Sequence, residues 1–193
     1  MEILGKILGN SARVRIMRLF LQSEGKAFSN KDIAIRTRTS AGSVRKELNL
    51  LSSVGMIRKL SSGWVIDTSF NYISQFEELL VNAKSVSKKY IYDIFKKTGK
   101  LKFLAYAGVF IQNKDSRVDL LIVGDKISAK KVEEGIRRLE AETGTELTYV
   151  VFETQEFVYR LNMYDKLARD ILDFPHQVIT ESKELSTLTT KRA

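Results

Sequence analysis

The stretch SNKDIAIRTRTSAGSVRKELNLLSSVGMIRK, residues 29–59, holds two helical patterns separated by a break too short for any other element. Ser29 or Asn30 can accept a hydrogen bond from the first turn of a helix over KDIAIRT, with Ile33 and Ala34 turned inward. Shortly afterwards Ser40 can cap a second helix, SAGSVRKELNLLSSVG, in which Val44, Leu48 and Leu51 form one apolar stripe. Gly55 follows the stripe, where a left-handed residue ends a helix. Working outward, Ser11 is a candidate N-cap for an upstream helix that carries Val14, Met17 and Leu21 and stops before Glu24-Gly25. Downstream, MIRKLSSGWVID alternates as two short strands turning at Ser61-Ser62-Gly63. The predicted order over residues 1–70 is helix, helix, helix, hairpin.

That order, with its short break before Ser40, resembles the winged helix-turn-helix of bacterial and archaeal transcription regulators of the MarR/ArsR type, over residues 8–67. If Val44, Leu48 and Leu51 pack on the two preceding helices, the opposite face presents Ala41, Gly42, Ser43, Arg45, Lys46 and Asn49. The resemblance implies that the helix opened by Ser40 enters the major groove of double-stranded DNA. Ser43, Arg45, Lys46 and Asn49 would then face base edges, and an arginine can take both acceptors of a guanine. Arg36 and Arg38, with Arg58 and Lys59 on the hairpin, are expected at phosphates, where they fix register rather than sequence. The plainer alternative is a small helical domain with a solvated cationic face. Trp64 is expected to anchor the hairpin by packing.

The charge distribution points the same way. The chain of 193 residues carries a formal net charge of +9. Residues 1–70 hold 12 Lys and Arg against 5 Asp and Glu, and the remainder holds 20 against 18. An excess concentrated in one segment suggests a nucleic acid or an anionic surface as partner. The absence of cysteine and the single histidine, His176, argue against disulfide scaffolds, thiol catalysis and Cys/His zinc sites. The apolar runs are too short to span a bilayer and the N-terminus has no secretion-signal layout, so a cytoplasmic protein without a membrane partner is expected.

Residues 71–99 contain no proline and read as a helical linker with a break near residues 84–87. Tyr72, Phe76, Leu79 and Leu80 lie at helical spacing, so a helix over residues 71–81 either docks on its neighbours or pairs with its copy. In winged-helix regulators the helix after the wing commonly forms the dimer, which implies a homodimer.

From Leu101 the pattern changes to strands alternating with helices: LKFLAYAGVF, RVDLLIVG and ELTYVVFE as strands, AKKVEEGIRRLEAET as an amphipathic helix, and TQEFVYRLNMYDKLARDILDF as a closing helix. A further short strand is expected over residues 177–180. Residues 100–181 thus read as a small α/β domain with a mixed sheet, residues 182–193 as a loose tail, and the whole chain as α+β.

This second part resembles the minimal nucleotidyltransferase fold. In that family one strand ends in glycine followed by serine or glycine, and the next carries two alternating acids that grip metal ions. A third acid lies on a later strand. Here Gly108 holds the glycine place and Asp119 the second acid, but Val109 stands for the serine, Arg117 for the first acid, and Thr148 or Val150 for the third. Alternate strand residues share a face, so a cation at the first acid place brings positive charge to the metal's side of the sheet. The resemblance implies a relic pocket at Gly108, Arg117 and Asp119, with no catalytic residue, metal or cofactor, left to bind a small-molecule or protein effector or to serve in assembly. A DNA-binding transcriptional regulator is the expected function. An active metal-dependent nucleotidyltransferase, or an antitoxin-like component that binds a toxin and its own operator, are the alternatives.

Overall fold

The computed structural model describes residues 3–82, 86–113 and 115–189. The chain is α+β, with a two-stranded and a four-stranded sheet. It divides into two units, residues 1–85 with 137–146, and residues 86–136 with 147–193.

The first unit opens with helix α1 (Ile3–Ile7), then α2 (Ser11–Leu21), α3 (Asn30–Thr37) and α4 (Ala41–Ser53). The cap of α2 is Asn10 rather than Ser11. Its side-chain oxygen accepts the Ala12 N–H, which needs the extended backbone that Asn10 adopts. Ser29 caps α3 through a reciprocal box in which its hydroxyl accepts the Asp32 N–H and the Asp32 carboxylate accepts the Ser29 N–H. The Ser29 hydroxyl, which also donates to Asp32 Oδ2 at 2.6 Å, and then the Ser29 N–H hold Asp32 below its ordinary pKa. Ser40 caps α4. The helix ends in a Schellman arrangement, with Gly55 N–H donating to Ser52 O and Met56 N–H to Leu51 O, and this requires the left-handed φ of 80° at Gly55.

Strands β1 (Ile57–Leu60) and β2 (Gly63–Ile66) form the expected hairpin, in the register Ile57↔Ile66 to Leu60↔Gly63. Phe28 adds a bridge to Trp64, exchanging both main-chain hydrogen bonds at 2.9 Å. The core gathers Val14, Ile16, Met17 and Phe20 of α2 with Ile33, Val44, Leu48, Leu51, Met56 and Ile57.

The single helix expected over residues 71–81 is instead α5 (Ile73–Glu77) running into a π-helical turn (Glu78–Asn82). Its apolar stripe does not act as one face. Leu80 is fully buried and Phe76 packs on the first core, while Tyr72 is 59% and Leu79 43% exposed. The π-turn departs from the 3.6-residue spacing on which the stripe was read, so the residues after Glu77 do not continue that face. The break expected at residues 84–87 falls largely outside the described residues, and α6 (Lys88–Phe95) begins after the Ser87 cap.

In the second unit, β3 (Lys100–Tyr106) leads into a 3₁₀ turn (Gly108–Ile111), followed by β4 (Leu120–Asp125), α7 (Ala129–Thr143, whose residues 137–143 count with the first unit), β5 (Tyr149–Phe152), α8 (Thr154–Asn162), α9 (Lys166–Asp173), β6 (Gln177–Glu181) and α10 (Lys183–Thr189). The sheet order is β5-β4-β3-β6. It is mixed, as expected, because β4 and β5 are parallel while β3 runs antiparallel to β4 and β6. Phe103, Ala105, Leu121, Val123 and Phe152 form a core with Phe157, Leu161, Ala168 and Leu185. The closing helix is two helices. Tyr164 takes a left-handed φ of 56° and Asp165 recaps the chain by accepting the Leu167 and Ala168 N–H groups, which a run read only for apolar spacing conceals. The stretch expected to be a loose tail carries α10, pinned by buried Leu185, while residues 190–193 lie outside the described residues. No helix among the described residues is long and apolar enough to cross a membrane.

Candidate nucleic-acid interface

The orientation of α4 is set from beneath. Val44, Leu48 and Leu51 are each at most 3% exposed, which stabilises the packing by about 1.5–3 kcal/mol apiece. Among them sits Glu47, 1% exposed, whose carboxylate accepts the Asn10 amide at 2.6 Å and Arg13 Nε at 2.7 Å. Asn10 therefore caps α2 with its oxygen and ties α4 with its nitrogen. Glu47 is the only acid on α4, so turning it inward leaves an outer face with no negative charge.

That outer face presents Arg45, Lys46 and Asn49, all exposed, beside Ala41 and Gly42 at the helix start. A Cβ built on Gly42 would meet nothing within 4 Å, so this first turn is open to an approaching surface. Ser40 and Ser43 are used locally. The Ser40 hydroxyl accepts the Ser43 N–H and donates to Ser43 Oγ at 2.9 Å, and Ser43 is half-buried.

Arg58 and Lys59 are exposed on β1. Lys59 lies 5.8 Å from the centre of the Trp64 ring, and Trp64 Nε1 donates to Asn30 Oδ1 at 2.9 Å, so the tryptophan anchors the hairpin to the start of α3 as expected. Near the hairpin root Asp67 is held below the usual carboxylate range, first by the Ser69 hydroxyl and N–H and to a smaller degree by Arg58. Arg38 takes a left-handed φ of 51° at the C-cap of α3 and is exposed. Arg36 is engaged within the unit, donating to Glu146 Oε1 at 2.9 Å and lying 5.6 Å from the Phe28 ring centre.

Part of the basic excess of residues 1–70 is therefore internal. Arg13 pairs with Glu47, and Arg15 pairs with Glu142 at 2.5 Å. Arg18, fully buried, donates from Nε to Leu80 O at 2.6 Å and from Nη1 to Glu142 O at 2.8 Å. Sequence reasoning missed these roles. Glu47 had a signal, since it lies three residues after Val44 and four before Leu51, inside the apolar stripe. Arg18 likewise lies four residues after Val14 and three before Leu21, whereas nothing local marked Glu142 as its partner.

In the second unit Gly108 and Asp119 do meet. The Asp119 carboxylate accepts the Val109 N–H on one oxygen and the Thr148 N–H on the other, both at 2.8 Å, and its own N–H donates to Thr148 O. Gly108 has a φ of 53°, and a Cβ there would fall 2.0 Å from Asp119 Oδ1. Arg117 is exposed in the loop before β4, so the two residues do not share a strand as the alternation argument assumed. Both Asp119 oxygens are thus engaged by main-chain donors. Among the described residues no three acidic or imidazole side chains converge elsewhere. Glu146 pairs with Arg36, and His176, just before β6, has Nδ1 2.9 Å from Phe174 O.

Compared with models of known families, with curated proteins and with solved structures, the chain matches none.

Proposed function

We propose that this chain is a DNA-binding transcriptional regulator whose first unit works as a winged helix, with α4 in the major groove and the β1–β2 hairpin as the wing. The observation that carries this is the α4 face, where Arg45, Lys46 and Asn49 are exposed on an open first turn while the only acid of that helix is buried beneath it. Guanine presents two acceptors that one arginine can take, and asparagine pairs likewise with adenine, so the face can read base edges. Arg38, Arg58 and Lys59 supply phosphate contacts. Arg36 joins them only by exchanging Glu146 for a phosphate.

The regulator is proposed to work as a homodimer, and the second unit as a non-catalytic domain for assembly or for a small-molecule or protein effector. The engagement of Asp119 by two main-chain amides supports its structural role over catalysis.

The test is selection of bound sequences from random duplexes by the full chain, followed by affinity measurements. Arg45→Ala should relax preference at one base position at a cost of about 1–3 kcal/mol, whereas Arg58→Ala should weaken all duplexes alike and reduce the salt slope by about 1. Absence of duplex binding, or equal losses on every sequence for both variants, would overturn the assignment.

A further inference from the structure

Residues 71–193 hold 20 Lys and Arg against 18 Asp and Glu, but the lysines and the acids are not evenly mixed along that stretch. Residues 88–102 hold six lysines and one acid, Asp93, and residues 125–131 hold three lysines and one acid, Asp125, with no arginine in either segment. The fold brings the two together. Lys100 faces Asp125 in the β3–β4 ladder, Ser128 N–H donates to Thr98 O at 2.8 Å, and Lys131 Nζ donates to Lys97 O at 3.1 Å. Gly99 lies so close to the other turn that a Cβ would fall 2.6 Å from Lys126 O.

The acids nearby are engaged, including Glu133 and Glu134, which are exposed on α7 just after Lys130 and Lys131. Asp93 pairs with Lys96, and Glu184 pairs with Lys102 at 2.9 Å. Lys97, Lys100, Lys126 and Lys130 are exposed and form no ion pair among the described residues. The N-terminus of α7, a helix of fifteen residues, lies between Lys126 and Lys130 and adds the positive end of its dipole.

We propose that this lysine surface, formed by the turn before β3 and the turn that opens α7, is a second binding surface, for the phosphate backbone of duplex DNA. Lysine is a flexible point charge that neutralises phosphate without the planar fork an arginine uses on bases, so such a surface reads charge density and not sequence. An anionic membrane is the poorer match, because interfacial binding needs apolar side chains beside the cations. Here the apolar residues that flank the four lysines, Leu101 and Ile127, are half-buried, and the exposed Tyr90 and Tyr92 lie on α6, away from the two turns in sequence. The choice of DNA over RNA rests on the function proposed for the first unit; the phosphate surface itself does not.

The test uses the full chain in four forms: unmodified, with Arg45→Ala, Lys46→Ala and Arg58→Ala on the first unit, with Lys97→Gln, Lys100→Gln, Lys126→Asn and Lys130→Gln on the second, and with all seven changes. Asparagine is chosen for Lys126 because its φ is 52°. Binding to a mixed-sequence DNA duplex is titrated against salt, with thermal melts confirming that each form is folded. Loss of the four lysines should lower the salt slope by about 3 to 4, with or without the first-unit changes. A fifth form, with Lys→Arg at the same four positions, should keep the slope of the unmodified chain. An unchanged slope in folded protein would overturn the proposal, and so would a loss confined to duplex RNA or to phosphatidylserine vesicles. If the first-unit changes alone have no effect, the reading of α4 fails while the lysine surface stands or falls on its own slope.

Discussion

Glu47 sits at the centre of the residue-scale account, because one buried carboxylate both holds α4 against α2 and removes negative charge from the outer face. Removing the carboxylate leaves the Asn10 amide and Arg13 Nε without their acceptor, while Arg13 Nη1 keeps Leu8 O. Glu47→Ala is therefore expected to lower stability by about 3–5 kcal/mol in a denaturant titration. A loss below about 0.5 kcal/mol would mean that the network contributes nothing. The same scale shows where the sequence was legible. Ser29, Ser40 and Gly55 could be placed because caps and left-handed termini depend on residues three or four positions away. The pairings of Arg36 with Glu146 and Arg15 with Glu142 span more than a hundred residues, and no local pattern encodes them.

At the scale of elements, short-range periodicity located most helices and strands of both units, but it missed the short α1 and α10 and failed where the backbone changes its own period. The π-turn after α5 and the left-handed Tyr164 between α8 and α9 each interrupt an apolar run whose composition stays helical. The turn from β3 toward β4 shows the reverse case, in which the sequence marked the right residues for a different reason. Gly108 and Asp119 are adjacent because the carboxylate ties the 3₁₀ turn and the approach to β5 to the start of β4. Gly108→Ala must accommodate both a left-handed backbone and a Cβ against Asp119, so we expect a loss of about 2–4 kcal/mol in thermal or denaturant unfolding. Gly55→Ala, with open space around it, should cost only about 1 kcal/mol. Equal effects at the two glycines would contradict the carboxylate tie. Incubation with magnesium or manganese and each of the four ribonucleoside triphosphates should give no nucleotide transfer to the protein or to co-expressed proteins. Metal-dependent labelling lost in Asp119→Asn would establish the enzyme alternative instead.

For the whole molecule, charge and assembly are the properties that the one-dimensional sequence conveys least well. The basic excess of residues 1–70 is partly consumed inside the first unit, and the near-neutral remainder of the chain contains a segregated lysine surface. Assembly follows the same lesson. Phe76 and Leu80 stood in the stripe read as either docking on its neighbours or pairing with its copy, and they pack inward, so a homodimer through residues 72–79 would have to use exposed Tyr72 and Leu79. Tyr72→Glu with Leu79→Glu should leave the fold intact and give monomers by light scattering, whereas Leu80→Glu should unfold the first unit. A double variant that stays dimeric would move the interface elsewhere. The central claim is that α4 is the element that enters DNA, and it is tested most directly by titrating the isotopically labelled full chain with its selected duplex and following backbone amide resonances. The account expects the largest shifts at residues 41–49, with smaller ones at Arg58 and Lys59. Saturable duplex binding that leaves the α4 amides unmoved would contradict it.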